Sequence, residues 1–459
     1  MPVKKHSIVF CSSEIFPFVK TGGLADVSGA LPVALAGHGC SVKVFMPFYK
    51  GIEKFGVGSN GYLKKDGVEY FFIKNKEYFL RDGLYGNKSG DFKDNAERFS
   101  YFSSKVLETL KEKNISPDII HLNDWQTALI SVYLKTKYID DPLFLKTKTL
   151  LTIHNLAYQG LFEKKEFSKL GLPSEVLNKG YMEFYGKINF LKAGIYYSNI
   201  INTVSPNYAV QIQTKKYGCG LEGVICERKK DLYGILNAID YSVWAPSCDA
   251  LLDYKYDNKN VSAQKPQNKI VLQKIFNLPI KEDALLIGMV TRITEQKGFD
   301  ILLKKINDIL KISQLIILGV GDESYQKQLE LIAQNNDNLG LMFKFDENAA
   351  HKIYAGSDCF LIPSRFEPCG LSQLISYKYG TLPIAHATGG LKDTVVDVSA
   401  GGCGFVFNEY SSKSLNEAVC HAVTVYKNRK KWAEIVNKAM RYDFSWDKTA
   451  LEYIKLYDT

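Results

Sequence analysis

Cys359-Phe360-Leu361-Ile362-Pro363-Ser364-Arg365-Phe366-Glu367-Pro368-Cys369-Gly370-Leu371-Ser372 is the stretch on which the fold turns. Four apolar residues with no polar break read as a short strand covered on both faces. Pro363 ends it. Glu367 is then held between Phe366 and Pro368 in a turn that cannot continue a helix. Gly370 opens a helical stretch over Leu371–Tyr379. A strand apolar on both sides needs a layer on each side, which a parallel sheet with crossover helices supplies.

The same cadence recurs along the chain. Apolar, β-branched runs predict strands at Ser7–Cys11, Ser41–Met46, Asp118–Leu122, Thr149–Ile153 and Asn199–Thr203, then at Ala284–Val290, Leu315–Leu318, Leu341–Phe345 and Leu382–Ala385. Between the two series, Tyr241 to Lys269 is polar and weakly periodic and reads as a connection, with Pro266 in the first turn of a short helix. Trp446 to Leu456 has apolar residues at helical spacing. The domains expected are 1–240, a connection 241–269, 270–442, and a terminal helix in 443–459.

The chain has 459 residues, room for two or three domains at roughly 100–200 residues each. Hydrophobic residues make up 46% and charged residues 23%, which excludes a disordered chain. No apolar run approaches the ~18–20 residues of a membrane span. Lys4 and Lys5 precede Ile8-Val9-Phe10, but Glu14 and Pro17 interrupt that run before it becomes a signal core, so the cytoplasm is the expected location. The formal charge of +9 comes with no Lys/Arg block and no RNA-binding motif, so neither a nucleic acid nor a membrane is an expected partner. Nine cysteines without a C-x-x-C pair suggest reduced thiols and no metal site.

Ligands of such sheets bind beyond the carboxyl ends of the strands, and there the chemically distinctive residues lie. Lys20-Thr21-Gly22-Gly23 offers a cation, an open backbone and a helix N-terminus. Asp124 follows one strand, and either binds hydroxyls or caps the next helix. His154-Asn155 follows another. Arg292 and Lys297, in the loop after Ala284–Val290, make a diphosphate clamp or a solvated loop in which Glu295 pairs with one of them. Thr388-Gly389-Gly390-Leu391 nearly copies Thr21-Gly22-Gly23-Leu24 and reads as a second backbone-exposing turn toward the same ligand. Gly319-Val320-Gly321-Asp322 lacks the third glycine of a dinucleotide fingerprint and reads as a turn capped by Asp322.

Taken in order, these segments resemble the bacterial glycogen synthase and plant starch synthase family. The likeness is carried by Lys20–Pro32, Asp124-Trp125, His154–Gly160, Glu183–Gly194, Thr203–Pro206, Gly220–Gly223, Arg292 with Lys297-Gly298, Pro363–Gln373 and Thr388–Val395. The resemblance implies an α/β protein of two facing Rossmann-like, doubly wound domains, the GT-B architecture, with a cleft between them. It implies retaining transfer of glucose from ADP-glucose to the non-reducing end of an α-1,4-glucan, releasing ADP. Lys20, Gly22 and Gly23 would then serve the sugar nucleotide, and Arg292 and Lys297 the diphosphate. Glu367 would bind glucose hydroxyls beside Cys369, Gly370, Leu371 and Ser372. Asp124 and His154 would touch the sugar, and Tyr354 would pack on the base. Asn237 belongs to the substrate-binding set, although Asn237-Ala238-Ile239-Asp240 has alanine where the family has glycine. Gln126 and Cys219 also depart from the pattern, on the acceptor side. No Asp-x-Asp motif follows a strand at the expected site, so no metal or other cofactor is expected. Two alternatives remain: another retaining transferase on this fold, and a catalytically silent glucan-binding protein.

Overall fold

The computed structural model describes residues 5–58, 60–87 and 90–459; Lys4 of the amino-terminal stretch lies outside them. The chain divides into two compact units. One runs to Asn237 and takes in Trp446–Thr459; the other is Ala238–Ser445.

The first unit contains β1 (Ser7–Cys11), β2 (Ser41–Pro47), β3 (Tyr62–Lys65), β4 (Val68–Ile73), a short ribbon of β5 (Gly86–Asn87) and β6 (Gly90–Asp91), β7 (Ile119–Asn123), β8 (Lys148–Ile153), β9 (Leu161–Glu163), β10 (Glu183–Phe184), β11 (Lys187–Asn189), β12 (Ile200–Thr203) and β13 (Leu232–Gly234). The main sheet has the order β13-β12-β8-β7-β1-β2-β4-β3 and is parallel except for β3 against β4. Successive residues Ile8, Val9, Phe10 and Cys11 are all fully buried, as strands covered on both faces require. The chain leaves β1 for β2 on one side and returns to β7 on the other. The carboxyl ends of β1, β7 and β8 therefore lie side by side at a reversal of strand order, where such sheets bind ligands. The last helix, Trp446–Tyr457, is held to this unit by hydrogen bonds between Tyr457 and His121 (2.8 Å) and between Tyr453 and Asn202 (3.1 Å).

The second unit contains β14 (Leu285–Val290), β15 (Ser313–Leu318), β16 (Leu339–Met342), β17 (Cys359–Ile362), β18 (Leu382–His386) and β19 (Phe405–Phe407), all parallel, in the order β16-β15-β14-β17-β18-β19. Here β14 and β17 are neighbours at the reversal of strand order, and they carry the two segments richest in charged candidates.

The segment 241–269 is not a connection. Leu252, Tyr256 and Val261 belong to the second unit's core, and Trp244 stacks on His351 at 3.9 Å. Pro266 is not in a first turn either: the helix runs Val261–Ile275 and holds Pro266 in its sixth position. Its polar residues look solvent-bound in sequence but are tertiary ties. The buried Lys265 ammonium donates to the carbonyls of Ala355 (2.9 Å) and Tyr379 (3.0 Å), and Lys269 pairs with Asp358 at 2.8 Å. All nine cysteines are free, five of them buried. Among the described residues no helix is long and apolar enough to cross a membrane, and no cluster of His, Cys, Asp and Glu could hold a metal ion.

Candidate functional site

In the first unit, β1 is followed by Ser12-Ser13-Glu14, and the buried Glu14 carboxylate organises the Lys20 loop. It accepts the Thr21 N–H and hydroxyl, each at 2.6 Å, and the Tyr85 hydroxyl at 2.6 Å. Tyr85 is delivered by a segment whose Tyr78 and Leu84 carbonyls accept from the fully buried Arg98 guanidinium at 2.7 and 3.1 Å. Lys20 pairs with Asp26 at 2.6 Å. Gly22 precedes the helix Gly23–Gly37, and a methyl group there would meet nothing within 4 Å. Packing does not require that glycine, so its backbone is open to a ligand.

Asp124 stands at the N-cap of the helix that follows it, but its side chain makes no cap hydrogen bond. Its backbone takes φ 56°, a costly conformation for a residue other than glycine. The turn carries its carboxylate to β8, where it accepts the His154 N–H at 2.7 Å and also the Asn155 N–H. The His154 ring is fixed by Asn123. The Asn123 amide nitrogen donates to the Cys11 carbonyl (2.9 Å), so its oxygen accepts from His154 Nε2 (2.9 Å), and Nδ1 keeps the lone pair. The ends of β1, β7 and β8 are thereby tied into one constellation. Burial raises the Asp124 carboxyl to about 7 and lowers the His154 imidazole to about 3. Asn237 closes the unit, 6% exposed, and its amide oxygen has no hydrogen-bond partner among the described residues.

These shifts predict an acid response. The folded unit keeps His154 and His121, likewise lowered to about 3 by burial, neutral where the unfolded chain protonates both below 6.5. That stabilisation is present above 6.5 and is lost as pH falls. Asp124 opposes it: its contribution is full below its ordinary 3.8 and is lost as pH rises through 7. Between pH 4 and 6.5 these three groups leave the unfolded chain one proton richer. They therefore contribute a loss of stability of up to about 1.4 kcal/mol per pH unit on acidification. Asp124→Asn keeps an acceptor oxygen but removes the opposing proton, and is expected to steepen the slope toward twice that. Urea midpoints at pH 4.5, 5.5 and 6.5 check this; a variant no steeper than the native chain contradicts it.

In the second unit, Arg292 and Lys297 follow β14 and Glu367 follows β17. Lys297 Nζ donates to Glu367 Oε2 at 2.6 Å, and the Ser364 hydroxyl donates to the same oxygen at 2.9 Å. One of the ammonium's three donors is thus spent on Glu367. Glu295, expected beside one of the two cations, pairs with Arg365 at 2.6 Å, while Lys297 pairs with Glu367. The two loops are joined through their backbones, Arg365 N–H to Gln296 carbonyl at 2.8 Å. Gly298, at φ 85°, lets the β14 loop reach β17, since a Cβ there would lie 2.1 Å from the Pro363 carbonyl oxygen. The Gly-Val-Gly turn is a clamp on the Arg292 loop: Ile293 N–H donates to Val320, Asp322 N–H donates back to Ile293, and a Cβ at Gly321 would lie 2.1 Å from the Ile293 carbonyl oxygen. Asp322 also caps its helix through the Ser324 N–H at 2.8 Å.

The two Thr-Gly-Gly-Leu copies do different work. Where Gly22 is open, Gly389 and Gly390 are filled: Cβ atoms there would lie 1.9 Å from the Glu367 carbonyl oxygen and 2.3 Å from that of Cys369. The second copy is the seat of the Glu367 turn. Cys369 is buried in that turn; Gly370 sits at φ 78° ahead of the helix, which begins at Ser372 after its N-cap Leu371. Tyr354 is a correction. It is 3% exposed, stacked on Phe360 at 4.6 Å inside the core, and offers no face to a base. Phe345 is 80% exposed just beyond β16, because Asp346 already caps the next helix and the strand ends earlier than Phe345.

Residues 7–227 match the starch synthase catalytic domain, and residues 272–439 match glycosyl transferases group 1. The glycogen synthase of Thermosipho melanesiensis is 46% identical over 478 residues, covering 98% of both chains. The chain belongs to the glycogen synthase and starch synthase family. The glycogen synthase of Geotalea daltonii is 44% identical, again over 98% of both chains. Among solved structures, the catalytic domain of starch synthase IV from Arabidopsis thaliana, bound to ADP and acarbose, superposes with a TM-score of 0.91 at 33% identity over 99% of each chain. The protein is therefore a glucosyltransferase of GT-B architecture, with a parallel sheet in each of its two units. Four residues of this glycogen synthase family member escaped sequence reading: Glu14, Tyr85, Asn123 and Phe345. Glu14 alone left a signal, a carboxylate three positions past an apolar strand.

Proposed function

We propose that the enzyme transfers glucose from ADP-glucose to the non-reducing end of an α-1,4-glucan, with retention at the anomeric carbon and without a metal ion. The observation that carries this reading is the Lys297–Glu367 pair with Arg292 nearby in the same β14 loop. A guanidinium and an ammonium suit a diphosphate; a carboxylate held against the ammonium suits sugar hydroxyls. The exposed Phe345 ring, beyond edge strand β16, suits a base. The Arabidopsis structure holds ADP, which supports an adenine nucleotide here.

In this account the acceptor hydroxyl attacks the anomeric carbon on the face the diphosphate leaves. The carbon–phosphate-oxygen bond breaks, and a phosphate oxygen takes the hydroxyl proton. Arg292 and Lys297 hold the charge that grows on the phosphate, an electrostatic role that fixed cations fill best where water is scarce. His154 is held neutral and fixed through Nε2, and its Nδ1 lone pair can accept from a sugar hydroxyl. In the first unit, Lys20 and the open Gly22 backbone are the candidates for contact with the donor.

Radiolabelled transfer to glycogen, with ADP-glucose and UDP-glucose in parallel and with excess EDTA, tests the reading. Faster use of ADP-glucose and a rate indifferent to EDTA are expected. Loss of activity in EDTA with recovery on magnesium would show that the cations are not sufficient, and a preference for UDP-glucose would overturn the donor assignment.

A further inference from the structure

The hairpin of β10 and β11 turns on two residues, Tyr185 and Gly186, and both have positive φ, 49° and 82°. This is the two-residue hairpin turn that asparagine–glycine fits best. A tyrosine in the left-handed region is strained there. The strained residue is also the most exposed large hydrophobic side chain described in the protein, 84% accessible. Its ring meets Phe184 edge to face at 4.7 Å. Both rings lie on the backbone of Gly220, where a Cβ would be 2.9 Å from Phe184 Cζ and 3.6 Å from Tyr185 Cε2. The hairpin therefore holds an aromatic face in solvent at a conformational cost and against a floor that must be glycine.

The face is joined to the His154 loop. Gln159 Nε2 donates to the carbonyl of Cys219, the residue before Gly220, at 3.0 Å, and Gln159 Oε1 accepts from Asn189 at 2.6 Å. Beside Gln159, Tyr158 offers a second exposed ring on the same loop. The charges around the tip are internally used: Glu183 Oε1 accepts the Gly186 N–H at 2.8 Å, Lys192 donates to the Glu183 carbonyl, and Lys187 pairs with Glu163 at 3.7 Å. An uncharged aromatic face suits a neutral ligand with apolar C–H surfaces, which is what a glucan chain presents, and not an anion.

We infer that Tyr185, carried on the Gly220 backbone, is a platform on which the acceptor glucan stacks at a distance from the residue being extended. The inference rests on the reading of the acceptor as an α-1,4-glucan. Tyr185→Asn deletes the ring while installing the asparagine–glycine pair the turn prefers, so the variant is expected to fold and to melt no lower than the native protein. Tyr185→Trp keeps a ring. The test is affinity electrophoresis in native gels containing glycogen, together with steady-state transfer from ADP-glucose. Tyr185→Asn is expected to bind glycogen roughly tenfold more weakly, equivalent to about 1.4 kcal/mol, with a matching rise in KM for glycogen and no change in KM for ADP-glucose. Tyr185→Trp is expected to retain binding. Glycogen binding by Tyr185→Asn equal to that of the native protein would overturn the inference, whether or not gel filtration shows that the substitution has dissolved a dimer. Native protein that transfers glucose yet is not retarded by glycogen would also overturn it. Native protein that transfers no glucose to glycogen would instead overturn the acceptor reading on which the inference rests.

Discussion

Lys297→Ala is expected to lower the maximal rate of glucosyl transfer by about 10²–10³-fold, the usual loss when one fixed donor to developing charge is removed. Two consequences combine. The diphosphate loses a cation that acts mainly as charge accumulates on it, so the effect falls on kcat more than on binding of the glucan. Glu367 loses its 2.6 Å partner and keeps only the Ser364 hydroxyl on that oxygen. Glu367→Gln, which keeps shape but removes charge-assisted hydrogen bonds worth about 1.5–3 kcal/mol each, is expected to slow transfer by about ten- to a hundredfold. The double variant is expected to lose less than the product of the two, since the residues act as a unit. Steady-state rates at saturating donor and varied glycogen separate these outcomes. A Lys297→Ala enzyme with native kcat contradicts the clamp.

The second large effect is expected at Gly389, a residue packed against the Glu367 turn. Gly389→Ala places a methyl group 1.9 Å from the Glu367 carbonyl oxygen, at φ 46°, and neither backbone can absorb that in place. The Glu367 turn must move. A displacement of about 1 Å at a reacting centre can cost about a hundredfold in rate, and that is the loss expected here. Gly22→Ala is the companion, because a methyl group there meets no protein atom within 4 Å. It is expected to leave folding untouched and to act only through the donor, raising its KM. Melting temperatures and donor KM for the two variants distinguish a filled seat from an open backbone. Equal behaviour of the two would show that the Thr-Gly-Gly-Leu copies share one role.

The strands were legible because parallel strands covered on both faces must be continuously apolar, and runs such as Ser7–Cys11 and Cys359–Ile362 meet that demand with no tertiary information. Asp124, His154, Arg292, Lys297 and Glu367 were legible because a polar residue just past such a strand lies at the sheet's ligand-binding edge. The misreadings share a cause: partners distant in sequence. Lys265 and Lys269 made 241–269 look like a solvated connection, yet each ammonium is buried against groups about ninety residues away. Tyr354 and Phe345 are both aromatic and nine residues apart, and only packing shows which of them faces solvent. Glycine in the second Thr-Gly-Gly-Leu marks close approach of another backbone, which sequence does not distinguish from close approach of a ligand.

The central claim is that this chain builds an α-1,4-glucan from a nucleotide sugar. The most direct test is to incubate the native protein with labelled ADP-glucose and a glycogen primer, recover the polymer, and digest it with α-amylase. Primer-dependent label in the polymer that α-amylase releases is the predicted result. Label that fails to enter the polymer, or polymer label that resists α-amylase, would contradict it.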